Sequence, residues 1–249
     1  MKQYSGLSAY YDKLNEDFPY KEYADFIKKA STMYGNGGKT FVDFACGTGN
    51  LAIEFAKSDY DVTAFDISSD ELSVADKKAR DESLSVRFLC ADMRSVAFTK
   101  KYSLGACITD SVNYLLSSED VAAFFSSAYS SLENGGVFVF DVNTKYRFEN
   151  VYADNAYVLE CEDALLAWQN EYNGKTKKCK FYLSLFAENK NGTYERFDEV
   201  HTEKLYSERT LARLINESGF EICGIFGSIY FDAPKMTDEK AYYILRKPQ

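Results

Sequence analysis

The segment Phe41-Val42-Asp43-Phe44-Ala45-Cys46-Gly47-Thr48-Gly49-Asn50 limits the fold more than any other part of the chain. Four strand-like residues run into a glycine turn, and Leu51-Ala52-Ile53-Glu54-Phe55-Ala56 then reads as a helix. A strand that breaks on Gly-x-Gly and enters a helix aims backbone N–H groups, and the positive end of the helix, at a ligand. The two glycines let the chain turn tightly and let a ligand approach with no Cβ in the way. This is a nucleotide-type binding loop.

Helices and strands alternate on either side of it. Tyr23, Phe26, Ile27, Ala30 and Tyr34 are spaced for a helix over 20–34, which Gly35-Asn36-Gly37-Gly38 ends. Strands are expected at 40–45, 61–65, 85–90, 103–109 and 137–140. Helices are expected at 50–58, 70–82 and 119–132, the last with a Ser117/Asp120 capping box. Continuous apolar strands between helices indicate a parallel sheet covered on both faces. From 157 the pattern changes to three long strand-like segments, 157–172, 176–189 and 193–206. Asn173-Gly174 and Asn191-Gly192 separate them, and Asn-Gly is a strong hairpin signal. Helix 208–218, with Ser207 as N-cap and Gly219 just past its end, and strands 220–226 and 240–246 complete the chain. The fold class expected is α/β: a Rossmann-like, doubly wound, mostly parallel seven-stranded sheet with an inserted antiparallel β-meander. Residues 1–150 and 207–249 form the main domain, and 151–206 the insert.

At 249 residues the chain suits one large domain with a modest elaboration, and its 16% aromatic content predicts an aromatic-rich pocket or a tyrosine-rich second sheet. A net charge of −9 supplies no basic field, which argues against bulk nucleic-acid binding. The six cysteines include no Cys-x-x-Cys pair and the chain has one histidine, so no metal site is expected. Met1-Lys2-Gln3-Tyr4 leads into a polar segment unlike a signal peptide, and no apolar run reaches bilayer length; the expectation is a cytoplasmic protein with no membrane partner.

Gly47-Thr48-Gly49-Asn50-Leu51-Ala52 fits the dinucleotide pattern G-x-G-x-x-A, which leaves an NAD-dependent oxidoreductase open. The acids nearby point elsewhere. Asp43 lies inside the first strand, Asp66 ends the second and Asp92 the third. An acid on each of three successive strands opposes a pyrophosphate and suits a ligand with a ribose, an adenine and a cationic tail.

At these residues the chain resembles the class I S-adenosylmethionine-dependent methyltransferases. Asp43-Phe44-Ala45-Cys46-Gly47-Thr48-Gly49 looks like their first motif, Phe65-Asp66-Ile67-Ser68 like the second and Ala91-Asp92-Met93 like the third. Leu132-Glu133-Asn134-Gly135-Gly136-Val137 looks like the turn before their fifth strand. The Tyr11-Asp12-x-Leu14 start, the meander and Glu199-x-His201-x-Glu203 extend the likeness to a group of small bacterial methyltransferases. Ala45 departs from the pattern, since many members carry a third glycine there. The resemblance implies S-adenosylmethionine as cofactor, with the backbone of Ala45, Gly47 and Gly49 at its methionine end and Asp43 toward its cationic tail. Asp66 would accept the ribose hydroxyls, and Asp92, Ile67 and Met93 would bracket adenine. Thr109, Asp110 and Asn113 follow the fourth strand, where Asp110 would bind the cofactor's amino group or orient the acceptor. Tyr4, Tyr10, Tyr11 and Tyr23 would form a lid over the sulfonium, Tyr11 fitting the family pattern best. His201, between two carboxylates, would be a base if the third meander strand faces the cleft, and otherwise a solvated strand histidine. Trp168 and Tyr172 would pack within the meander or cover the acceptor pocket.

Asp110-Ser111-Val112-Asn113-Tyr114 stands where methyltransferases acting on nucleic-acid bases carry Asn/Asp-Pro-Pro-Tyr, which argues against a nucleic-acid substrate, and the acidic, aromatic insert is compatible with a small neutral or cationic acceptor. A non-catalytic cofactor-binding module of the same fold stays open. Oligomeric state leaves no signal in the sequence.

Overall fold

A computed structural model describes residues 7–249. Two helices, α1 (Ser8–Leu14) and α2 (Tyr20–Tyr34), precede the alternating core. That core is β1 (Thr40–Phe44), α3 (Asn50–Ala56), β2 (Asp61–Asp66), α4 (Ser69–Asp81), β3 (Val86–Cys90), β4 (Tyr102–Cys107), α5 (Ser118–Ser131) and β5 (Leu132–Asn143). The second sheet follows as β6 (Ala156–Cys161), β7 (Ala164–Asn173), β8 (Lys178–Glu188) and β9 (Tyr194–Lys204). The chain then returns through α6 (Glu208–Glu217), β10 (Glu221–Phe226) and β11 (Lys240–Arg246).

The main sheet has the order β10-β11-β5-β4-β1-β2-β3, with β1 to β5 and β10 running in one direction and β11 antiparallel between β10 and β5. From β1 the chain moves outward through β2 and β3, then returns to β4 on the other side of β1. The direction of winding therefore reverses between β1 and β4, and a crevice opens at their carboxyl ends. Helical caps fall where the sequence places them: Ser117 Oγ accepts from the Asp120 N–H, and Ser207 Oγ from the Thr210 N–H.

Much of the aromatic content fills these two faces rather than the meander alone. Phe41 stacks on Phe55 at 3.7 Å beneath α2 and α3, while Phe44 meets Phe65, Phe124 and Phe138 edge-on beneath α5. A third apolar cluster joins Leu7, Phe148, Tyr152 and Phe181 under the second sheet.

The meander differs from the sequence reading in two ways. Segment 157–172 is two strands, because Glu162-Asp163 makes a two-residue turn that pairs Cys161 with Ala164. Neither turn residue is glycine, so the break carries no hairpin signature. At Asn173-Gly174 the connection is a four-residue loop. Asn173 Oδ1 accepts the Lys175 and Thr176 amides, and Lys177, not Gly174, takes the positive φ of 56°. An asparagine side chain that caps its own turn displaces the two-residue hairpin.

Candidate active site

The loop after β1 turns left-handed three times, at Ala45 (φ 55°), Gly47 (φ 54°) and Gly49 (φ 80°). Its glycines do different work. A Cβ on Gly49 would stand 2.7 Å from the Ala75 Cβ and 3.2 Å from the Phe88 ring, so Gly49 lets α4 and β3 close against the loop. A Cβ on Gly47 would meet nothing nearer than the Glu71 carboxylate at 3.7 Å, so it would project into a cavity. The Gly47 N–H donates to Asp66 Oδ2 (2.9 Å), and Asp66 Oδ1 accepts the Ser68 N–H (2.8 Å). Asp66 therefore fixes both the loop and the start of α4. Burial pushes its carboxyl up, and these backbone amides pull against that rise.

Asp43 is 1% exposed, and its Oδ2 has no hydrogen-bond partner among the described residues. Burial, then the nearby Asp66, pushes its carboxyl well above the ordinary carboxylate range. A buried acceptor facing a cavity without a donor is costly unless a ligand supplies one.

Ile67, 68% exposed, and Met93 present apolar surface to the same cavity. Asp92 does not line it. Its carboxylate is gripped by Arg94 (Nε 3.0 Å, Nη2 2.5 Å), which also reaches Asp120 on α5. Arg94 holds the Asp92 carboxyl below its ordinary range. Gly49 likewise lies outside the lining; Tyr11, Ala45, Gly47, Asp66, Thr109, Asp110 and His201 all contribute to it.

Beyond β4, Thr109 (φ 58°) and Asp110 (φ 56°) are both left-handed, an uncommon conformation for such residues and one found at functional sites. Asp141 on β5 holds this turn by accepting the Thr109 N–H (3.0 Å) and the Asp110 N–H (2.5 Å). Lys240 on β11 donates to Asp110 Oδ1 at 2.7 Å and to Asp141 Oδ1 at 3.2 Å. Burial pushes the Asp110 carboxyl up, but Lys240 and Arg147 outweigh it and hold the group below the ordinary range. Asn113 is buried in structure rather than in the cavity: it donates to the Lys204 carbonyl and accepts the Asn143 N–H, tying the β4 turn to β5 and β9.

In β9, alternate residues Glu199, His201 and Glu203 are all buried and face inward together. His201 is 2% exposed, with Nε2 2.8 Å from Glu199 Oε2 and Nδ1 3.1 Å from the Tyr114 hydroxyl. Of the two flanking carboxylates only Glu199 pairs with it. Glu203 turns to Asn143 Nδ2 (2.8 Å), and burial followed by the adjacent Asp110 pushes its carboxyl well up. Trp168 lines the cavity while packing on Tyr152, Tyr157 and Phe181; Tyr172 packs against Phe148 inside the meander.

The first tyrosines divide. Tyr4 lies outside the described residues. Tyr11 lines the cavity, and Tyr23 does so while its hydroxyl pairs with Tyr242 at 2.8 Å. Tyr10 is absent from the lining and packs with the second-sheet cluster. Helix α1 is clasped to the glycine loop through Asp12, which accepts from Thr48 Oγ1 (2.6 Å), Asn50 Nδ2 (2.8 Å) and Lys78 Nζ (2.6 Å). Asp12 and Tyr114 stand inside motifs of the sequence that assign them no role, and Glu71, Asp141 and Lys240 escaped the motif reading. Of these three only Glu71 left a sequence signal, Ser68-x-x-Glu71, and that pattern reads as a helix cap.

The result is one cavity of about 840 Å³ that runs from the glycine loop to the second sheet. Its donor set suits S-adenosylmethionine: the Asp43 oxygen wants a cationic donor, Gly47 leaves the room a Cβ would fill, and Asp66 presents a carboxylate for hydroxyls. Among the described residues no cluster of His, Cys, Asp and Glu could hold a metal ion, and no helix is long and apolar enough to cross a membrane.

Comparison with known proteins supports the same fold and cofactor. Residues 41–136 match the family described as "Methyltransferase domain". A Geobacillus protein named "Putative methyltransferase" is 29% identical over 98% of this chain and 99% of its own length. The crystal structure of an S-adenosylmethionine-dependent methyltransferase from Clostridium acetobutylicum superposes with a TM-score of 0.88 at 27% identity, covering all of both chains. A dTDP-3-amino-3,4,6-trideoxy-alpha-D-glucopyranose N,N-dimethyltransferase of Streptomyces venezuelae is 32% identical over 46% of each chain. Matched domain, sheet order and cofactor loop together support a class I S-adenosylmethionine-dependent methyltransferase.

Proposed function

We propose that the chain methylates a small-molecule acceptor bound in the half of the cavity walled by the second sheet. The observation that carries this reading is the continuity of the cavity. Its volume sits near the top of the range for small-molecule sites, about 300–1,000 Å³, which leaves room for an acceptor beside the cofactor. The cofactor supplies an electrophilic methyl group on a sulfonium, so the protein's task is to align and desolvate a nucleophile.

In this reading Gly47, Ala45 and Asp43 hold the methionine end, Asp66 the ribose, and Ile67 with Met93 the adenine. Gly49 and Asp92 act from outside the lining, by closing the loop on α4 and by ordering the turn after β3. Residues 1–150 and 207–249 form the cofactor domain and 151–206 the acceptor wall. Asp110, pinned by Lys240, holds a fixed negative charge at the junction of the two halves. His201 stores the nucleophile's proton: with Nε2–H donated to Glu199, Nδ1 accepts from Tyr114, whose oxygen faces the acceptor. The acidic lining favours a neutral or cationic acceptor, and the amino-sugar substrate in the Streptomyces relative's name makes amines the first class to try.

The orphaned Asp43 oxygen disfavours a dinucleotide pyrophosphate in the same loop. The test is formation of S-adenosylhomocysteine from S-adenosylmethionine with amino sugars, amino acids and small phenols as acceptors. Turnover of one acceptor, lost in Asp66→Ala and reduced in His201→Ala, is expected. A folded chain that binds the cofactor yet turns over no acceptor would leave it a binding module.

A further inference from the structure

Glu71 occupies the third position of α4, after the cap Ser68, whose Oγ accepts the Glu71 N–H at 3.3 Å. In a reciprocal capping box the glutamate would turn back to the amide of the cap residue. That amide is already taken, because Ser68 N–H donates to Asp66 Oδ1 at 2.8 Å. The Glu71 carboxylate turns instead into the cavity wall, its oxygens 3.7 and 3.8 Å from where a Cβ on Gly47 would stand. It is 4% exposed, and no hydrogen bond to its carboxylate occurs among the described residues.

Its charged surroundings come from several elements. Asp66 at the end of β2, Glu199 on β9 and Asp12 on α1 are acids, and Cys46 of the loop also lies near. The nearby cation among the described residues, Lys78 of α4, spends its ammonium on Asp12 and Asn50 at 2.6 Å each. Burial first, then these acids, pushes the Glu71 carboxyl up to about 8. A group so placed is neutral at neutral pH until a cation arrives to compensate it.

Resting on the cofactor reading above, we propose that Glu71 is the residue by which this cavity distinguishes the cationic cofactor from its neutral demethylated product. Binding of the sulfonium releases the Glu71 proton to solvent. Methyl transfer breaks the carbon–sulfur bond, leaves its electron pair on sulfur and forms the bond to the acceptor. The positive charge is then gone from the ligand, and Glu71 takes up a proton again. The negative wall that favoured the substrate form disappears at the moment the product forms, which weakens product retention.

The test is calorimetric titration of the full chain with S-adenosylmethionine and with S-adenosylhomocysteine at pH 6.5, 7.5 and 8.5, in wild type and in Glu71→Gln. The readout is the ratio of the two affinities in wild type divided by that ratio in the variant, so that titration of the ligands' own amino groups cancels. The quotient should rise roughly tenfold toward S-adenosylmethionine between the lowest and highest pH, as linkage to one buried carboxyl requires. A quotient that stays level overturns the proposal. Should Glu71→Gln fail to fold, wild type alone decides. At pH 7, in two buffers of different ionisation heat, S-adenosylmethionine should release close to one proton more than S-adenosylhomocysteine, and equal release overturns the idea. If neither ligand binds the folded chain, the cofactor reading falls with it; if both bind without the pH effect, only the role of Glu71 falls.

Discussion

Gly47 and Gly49 share a positive φ and one motif, yet the space around them differs, and this separates binding from folding. Ala at either position takes on left-handed strain of about 1–2 kcal/mol. At Gly49 the new methyl also meets Ala75 and Phe88, which adds roughly 1–3 kcal/mol of overpacking. Gly49→Ala should therefore lower the melting temperature by roughly 5–10 °C. Gly47→Ala should lower it by only a few degrees while weakening S-adenosylmethionine about tenfold or more, since its methyl enters the cavity. Melting curves and calorimetry on the two variants check this, and equal melting losses would refute it. Asp43→Asn is the complementary case. It keeps the side chain's shape and removes a buried acid that folding disfavours, so the melting temperature should hold or rise while cofactor affinity falls about tenfold. The glycine loop and Asp43, Asp66 and Asp92 were legible in the sequence because each sits at or near a strand end. What the sequence withheld was how each acid is partnered. Asp92 looked like Asp66 until Arg94, two residues on, proved to occupy it. Lys240, which fixes Asp110, lies 130 residues away from it and belongs to no local pattern.

At the scale of elements, the decisive contact is the clasp between α1 and the glycine loop. Helix α1 has only seven residues, too few to persist by itself, and Asp12 anchors it to Thr48, Asn50 and Lys78. Asp12 and Lys78 are about a third and a quarter exposed, so the clasp contributes only about 1 kcal/mol. That is enough to set the position of a short cover carrying Tyr11 and Leu14 into the cavity. Asp12→Ala should leave the sheet intact and lower the melting temperature by a few degrees at most. Tryptic cleavage at the exposed Lys13 should become several times faster, and S-adenosylmethionine should restore protection. Unchanged cleavage would show that α1 is held by its apolar contacts alone. Element types were well marked in the sequence wherever apolar period and caps agreed, as in α5 and α6. The meander was marked less well. A two-residue Glu162-Asp163 turn obeys no composition rule, and its position is set by the pairing of β6 with β7. β4 stops at Cys107, short of the expected 109, because Asp141 draws the following amides out of the ladder.

Over the whole molecule, the cavity gathers buried acids from several elements, and their protonation couples binding to stability. Burial raises the carboxyls of Asp43, Asp66, Glu71 and Glu203, while Asp110 and Asp92 are held low by cations. A raised carboxyl keeps its proton in the folded state at a pH where the unfolded chain has already lost it. Its contribution is therefore present below the unfolded value and is lost as pH rises toward the folded one. For Glu71 that window runs from about 4.5 to about 8. The two low carboxyls act in the opposite sense at acid pH, but Asp92 lies outside the cavity, about a quarter exposed beside a more exposed Arg94, and adds little. Without cofactor, stability should thus decline between pH 5 and pH 8.5 by roughly 1–3 kcal/mol, seen as a fall in melting temperature of several degrees. In Glu71→Gln the decline should be shallower, because one of the groups that must ionise is gone. Saturating S-adenosylmethionine should flatten the wild-type curve as well, since a cationic ligand compensates the charge that alkaline pH creates. A wild-type melting temperature that climbs over the same range would mean that these carboxyls are ionised and paired in the folded chain. The cavity would then be a fixed negative charge rather than one that answers to its ligand.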